Sequence, residues 1–199
     1  MAGLCWSDVL SRFVDRGAVI AAFVGIGMAV TVGVSFLLVI PIEPVYWIMA
    51  IPTGLLIGYY AQARSGLGRG AWRRLLPNAL FAGAVTGLAL AALLLGVKAL
   101  FFVADDGYRD PGLGGRISCI SGADCVYRRY LATQPEALAK AGVADAATFA
   151  DYYWAQQWST AEWLILLATG FSVAGGVIYG LTRPRADRPS RPSGIVPAA

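Results

Sequence analysis

Residues 79–103 read ALFAGAVTGLALAALLLGVKALFFV, 25 residues with a single charge at Lys98. An α-helix rises about 1.5 Å per residue, so about 20 apolar residues cross a hydrocarbon layer of about 30 Å. A run this long and this apolar reads as a transmembrane helix rather than a buried core helix. The other apolar runs are placed around it.

The chain has 199 residues, of which 57% are hydrophobic and 14% charged. Soluble domains carry about 25% charged residues, so composition favours a membrane protein as well. There is no histidine, which removes the commonest general base, the histidine-ligated haems and pigments, and most zinc and copper sites. Three cysteines, Cys5, Cys119 and Cys125, are too few for a four-cysteine iron–sulfur cluster or a disulfide scaffold. No cofactor and no metal is therefore expected. No clustered basic surface of the nucleic-acid-binding kind is seen, so no nucleic-acid partner is expected either.

In chain order, residues 1–16 place Trp6, Val9, Leu10 and Phe13 at helical spacing among polar residues. This predicts an amphipathic helix lying in the membrane interface. Residues 17–40 form a first span without a charge. Pro41-Ile42-Glu43-Pro44 then stops the helix and turns the chain. Residues 45–61 form a second span with Pro52 inside it, where a missing backbone hydrogen bond predicts a kink. Residues 62–78 read as a polar, glycine-rich loop, with Trp72 to Leu76 along the interface and Pro77 in the first turn of the span at 79–103. Residues 104–158 make a long polar segment, and a fourth span covers 161–181. The tail, 183–199, is rich in Arg, Pro and Ser and is predicted to be disordered.

Four spans place residues 1–16, 62–78 and 183–199 on one side. Those segments hold two, four and four arginines against Asp8, Asp15 and Asp187. The turn at 41–44 and the segment 104–158 hold Arg109, Arg116, Arg128, Arg129 and Lys140 against eight acids. The positive-inside rule then puts both termini in the cytoplasm and residues 104–158 outside the cell membrane. The chain is thus expected to be an all-α integral membrane protein of four transmembrane helices (17–182). An N-terminal interfacial helix and a helical extracytoplasmic loop between spans three and four complete it. Its high Arg, Ala and Gly content points to a bacterial source.

Within the outer loop, Cys119 and Cys125 lie six residues apart on the oxidising side and are expected to form a disulfide. Thr133-Gln134-Pro135-Glu136 has capping-box spacing, and Gly142 reads as a helix stop. A second loop helix, at about 144–157, carries aromatics suited to the membrane interface or to a partner. Within the spans, Gly54 and Gly58, Gly83 and Gly87, and Gly176 and Gly180 are four-residue glycine pairs that let helices approach closely. Lys98 and Glu162 fall on the small-residue stripes of their spans at similar depth, which suggests an intramembrane ion pair. Snorkelling of Lys98, and a local capping box over Ser159 to Glu162, are the competing readings.

No nucleophile, base and orienting group can be assembled without histidine, so no enzyme is expected. The layout is similar in outline to the tetraspanins, but the paired Cys-Cys-Gly motif of that family is missing and nothing of its function is carried over. The expected role is a non-catalytic accessory or scaffold subunit of a larger membrane complex, in contact with lipid and with other integral membrane subunits. The alternatives are a small oligomeric transporter or channel using Pro52, Lys98 and Glu162, and a lipid- or pigment-contacting protein that shapes the bilayer.

Overall fold

The computed structural model describes residues 14–38, 43–68, 71–104, 107–110, 115–119 and 121–182. The interfacial helix expected over 1–16, the turn at Pro41 and Ile42, and the tail at 183–199 lie outside them. Four long helices dominate: α1 (Arg16–Leu38), α2 (Glu43–Ser65), α3 (Trp72–Ala104) and α6 (Ala146–Thr182). Between α3 and α6 the chain adds strands β1 (Gly107–Asp110) and β2 (Gly115–Ser118) and short helices α4 (Ala123–Thr133) and α5 (Pro135–Lys140). Three helices, α1, α3 and α6, are long and apolar enough to cross a membrane.

The long helices form one bundle in which each runs opposite to the next. The start of α1 lies against the end of α2, since a side chain at Gly17 would overlap Ser65. The start of α3 lies against the end of α6, because a Cβ at Gly180 would stand 2.9 Å from Leu75 Cδ1. Helix α3 packs most extensively on α6, and α2 on α6 nearly as much, while α1 rests on α2 and α3. One end of the bundle therefore gathers Arg16, Arg64, Arg73 and Arg74, and the other carries the segment between α3 and α6. The interior is made of small side chains, Ala18, Ala21, Ala50, Ala61, Ala79, Ala82 and Ala168 among them, with Ile57, Leu75, Leu94 and Leu164. Large apolar side chains instead point outward from all four helices, including Phe23, Leu56, Leu88 and Leu166. This inverts the usual arrangement and suits a hydrocarbon surround.

Several boundaries differ from those read in the sequence. Helix α2 runs to Ser65 and α3 begins at Trp72, so the loop expected over 62–78 is confined to the few residues between. Pro77 stands inside α3 rather than in its first turn. Helix α2 continues on both sides of Pro52. The expected loop helix at 144–157 and the span at 161–181 are one helix of 37 residues, about 55 Å long at 1.5 Å per residue. Thr160 is an interior residue whose hydroxyl donates to the Gln156 carbonyl at 3.0 Å, so no capping box forms at Ser159. Backbone bonding continues through polar residues such as Gln156 and Gln157, whose low hydropathy had suggested a break.

The capping box expected at Thr133 is absent too. Thr133 closes α4, donating its hydroxyl to the Arg129 carbonyl at 2.9 Å, and Gln134 is the residue that precedes α5. Pro135 forces that residue out of helical geometry, so Thr133 cannot face the start of α5. The stop at Gly142 does form, at φ +72°. Gly142 N–H donates to the Ala139 carbonyl at 3.1 Å and Val143 N–H to the Leu138 carbonyl at 3.0 Å, the paired bonds of a Schellman ending. The antiparallel β1–β2 ribbon, with Tyr108 opposite Ile117, is an element the helical reading of 104–158 missed.

Candidate functional site

Three structural features bring the chain's polar, aromatic and small residues together. The first is the seam along α6. Gly54 and Gly58 of α2 face it, as do Gly83 and Gly87 of α3. A Cβ at Gly54 would lie 2.7 Å from the Ala168 carbonyl oxygen, and one at Gly83 2.5 Å from Ser172 Cβ. One at Gly87 would lie 2.9 Å from Ile165 Cα, and one at Gly176 3.0 Å from Ala79 Cβ. A Cβ at Gly58 would overlap the Ser172 carbonyl oxygen. Ser172 is fully buried where the three helices meet, and its hydroxyl donates to the Ala79 carbonyl at 2.7 Å. Gly25 against Thr86 and Gly175 against Leu55 are equally close approaches. Neither was singled out from the sequence, because neither has a glycine four residues away.

The second feature is a polar knot at the arginine end. Asn78 is fully buried. Its amide oxygen accepts from Asp15 N–H at 2.9 Å, and its amide nitrogen donates to the Asp15 carboxylate at 3.0 Å and to Ser65 Oγ at 3.3 Å. Arg74 stands 3.5 Å from the same carboxylate. Fully buried Gln62 donates to the Leu75 carbonyl at 2.8 Å. The knot thus ties the start of α1 to the end of α2 and the start of α3. Sequence reading had assigned Gln62, Ser65 and Asn78 to a loop or its edges, so their shared burial was not visible. The retrievable signal was uncharged amides at the margins of two apolar runs, where burial demands hydrogen-bond partners. Two side-chain atoms, Gln62 Oε1 and Thr169 Oγ1, are buried with no partner among the described residues.

The third feature is the cap at the opposite end. Cys119 and Cys125 are joined by a disulfide with their Cα atoms 4.9 Å apart, fixing the end of β2 to α4. Helices α4 and α5 and the first turns of α6 enclose a small core of Val126, Leu138, Phe149 and Tyr153. Tyr130 packs edge-on against Phe149 with ring centroids 5.1 Å apart, and Phe102 of α3 lies 5.0 Å from Tyr153. Aromatic pairs at these separations add to ordinary area burial. The Tyr127 hydroxyl donates to the Ala144 carbonyl at 3.0 Å, closing the turn between α5 and α6. Asp145 caps α6: its carboxylate accepts from Thr148 N–H and from Thr148 Oγ1, both at 2.8 Å. Those bonds, the backbone one foremost, hold its carboxyl below the ordinary value of 3.8.

Lys98 lies on α3 and Glu162 on α6. Glu162 is exposed on α6, and half-buried Lys98 receives the Tyr153 hydroxyl on its backbone carbonyl at 3.4 Å. Glu162 and Gly180 are about five helical turns apart and share one side of α6. That side is covered by α3 from Gly180 up to Thr169, whose Cα would lie 2.9 Å from a Cβ at Gly83; higher up Leu166 is exposed, as Glu162 is. Pro52 is also exposed, away from the bundle interior. Comparisons with protein-family models, curated proteins and solved structures return no match to this chain.

Proposed function

We propose that the chain is a non-catalytic scaffold subunit of a larger membrane protein complex in a bacterial cytoplasmic membrane. In this reading α2 is a fourth crossing, beside α1, α3 and α6. Its 23 residues match the bilayer and its Met49, Ile51 and Leu56 face outward. The arginine end is cytoplasmic by the positive-inside rule, and the cap is extracytoplasmic. The observation that carries the reading is the cap itself. It has its own aromatic core and disulfide and stands on an unbroken extension of α6. A platform held this rigidly outside the hydrocarbon meets a partner without an ordering cost. Exposed Leu131, Trp158 and Trp163 supply apolar contact area on the cap and along α6.

The test is mild solubilisation from native membranes followed by size-exclusion and mass analysis. A co-migrating assembly that breaks up on Leu131→Ser and Trp158→Ala supports the reading. A homogeneous species free of other proteins, in wild type, sinks it. A second reading, a small transporter, draws on the buried acceptor Gln62 Oε1 inside the bundle. Solute flux into reconstituted vesicles that is abolished by Gln62→Leu would favour it over the scaffold.

A further inference from the structure

Helices α3 and α6 keep one antiparallel register along their length. Leu75 packs at Gly180, Ala79 at Gly176, Ser172 at Gly83 and Ala168 at Gly87, and the Phe102 ring lies against Tyr153. Each step up α3 is an equal step back along α6, so Glu162 stands level with Leu93. Leu93 packs at Gly33 of α1 inside the bundle. It lies about 21 Å from the start of the apolar run at Ala79 and about 15 Å from its end at Val103. Glu162 is therefore at hydrocarbon depth, farther in than a glutamate side chain can reach out of.

At that depth Glu162 is exposed and has no hydrogen bond or ion pair among the described residues. Trp158, Glu162 and Leu166 follow at one turn each and are all exposed, so they form one ridge on α6. The two sides of the bundle differ at this height. Helix α3 turns Ala92, Gly96 and Leu100 outward, whereas α6 over the same levels turns out Gln156, Ser159 and Glu162. The first set suits lipid; the second leaves a carboxylate and polar groups facing it, and an unpaired charge in hydrocarbon is expensive. The cover that removes this cost carries a cation at the level of Leu93. Within hydrocarbon a lipid-exposed segment must satisfy its own backbone hydrogen bonds, which a helix does. A parallel second copy brings no cation there. Arg16, Arg64, Arg73 and Arg74 lie at the opposite end, and Lys98 stands level with Gln157, more than a turn nearer the cap. We infer that the Trp158–Glu162–Leu166 ridge docks a transmembrane helix of another protein, whose lysine or arginine pairs with Glu162. The inference rests on the scaffold reading and states the chemistry of one partner.

The test places p-benzoylphenylalanine at Leu166, and separately at exposed Leu88 of α3, in the full chain in native membranes. Irradiated adducts are sequenced by mass spectrometry. From Leu166 the expected adduct is an apolar helix of another protein with a lysine or arginine within two turns of the linked residue; from Leu88 it is lipid. Glu162→Gln should lower the adduct yield about tenfold, and Glu162→Asp should keep most of it. Glu162→Lys should abolish it, and glutamate in place of the partner's cation should then restore it, which a contact through shape alone would not do. Adducts at Leu166 with lipid alone, with a second copy of this chain, or with a helix lacking a cation overturn the site. An unchanged yield from Glu162→Gln overturns it as well. Where other proteins co-migrate with the chain but no cation-bearing helix is linked at Leu166, this inference alone fails; where nothing co-migrates, the scaffold reading fails with it. Folding of each purified variant is checked by the near-ultraviolet signal of the aromatic cap.

Discussion

At the scale of single residues, glycine sets how close the helices come. Gly58 and Gly27 make the contrast, because both lie in apolar helices with opposite surroundings. At Gly58 a Cβ would run into the Ser172 carbonyl oxygen, a backbone atom that no side-chain rotation can move aside. At Gly27 nothing lies within 4 Å. Gly58→Ala should therefore lower stability by about 1–3 kcal/mol, the cost of overpacking, and Gly27→Ala should raise it by about 0.5–1 kcal/mol. Melting temperatures in one detergent decide it, and equal shifts would mean that α2 and α6 do not meet at Ser172. The glycine pairs were legible in the sequence because four-residue spacing is a one-helix property. Asn78, Gln62 and Asp15 were not, because their hydrogen bonds cross between segments up to 63 residues apart, and no local pattern records which segments meet.

At the scale of elements, the apolar centres of the helices were readable and their ends were not. Hydropathy reports what a side chain contacts, whereas a helix ends where its backbone bonds end. Helix α6 shows the difference: Gln156, Gln157, Ser159 and Thr160 are polar, yet the helix passes through them unbroken. Ser159→Pro should accordingly cost about 3 kcal/mol or more, as expected for proline within a helix. A span beginning near Thr160 would tolerate it with little change in Tm. Helix α6 is capped by Asp145, whose hydrogen bonds to Thr148 favour its charged form. A carboxyl held below its unfolded value contributes stability that is full above that value and disappears as pH falls through the folded one. The first turn of α6 should thus fray as pH drops below 3.8, seen as faster amide exchange at Thr148 and Phe149. Asp145→Ala, which removes the capping oxygen, should show fast exchange there at neutral pH and little further pH response. The β1–β2 ribbon escaped sequence reading for another reason: strands of four residues are too short to display a period of two.

At the scale of the whole molecule, two ends of opposite character are separated by a length of bundle close to a bilayer. The arginine end is tied by side-chain amides and a carboxylate, and the cap is tied by a disulfide and stacked rings. Each suits a different compartment. Guanidinium groups gain from the anionic surface of a cytoplasmic leaflet, while a disulfide persists only where thiols are not kept reduced. The two observations are chemically independent, and together they favour one orientation over its mirror. Single cysteines test it, placed at Gly68 between α2 and α3 and at Thr133 at the end of α4, in a chain with Cys5 replaced. A membrane-impermeant maleimide added to intact cells should label the cysteine at position 133 and leave the one at 68 untouched until the membrane is opened. In the same preparation, mass analysis without reductant should find residues 119 and 125 two hydrogens lighter than the dithiol. Labelling at 68 from outside would reverse the bundle and place the disulfide in a reducing compartment, where it does not last. The pair of results therefore stands or falls as one.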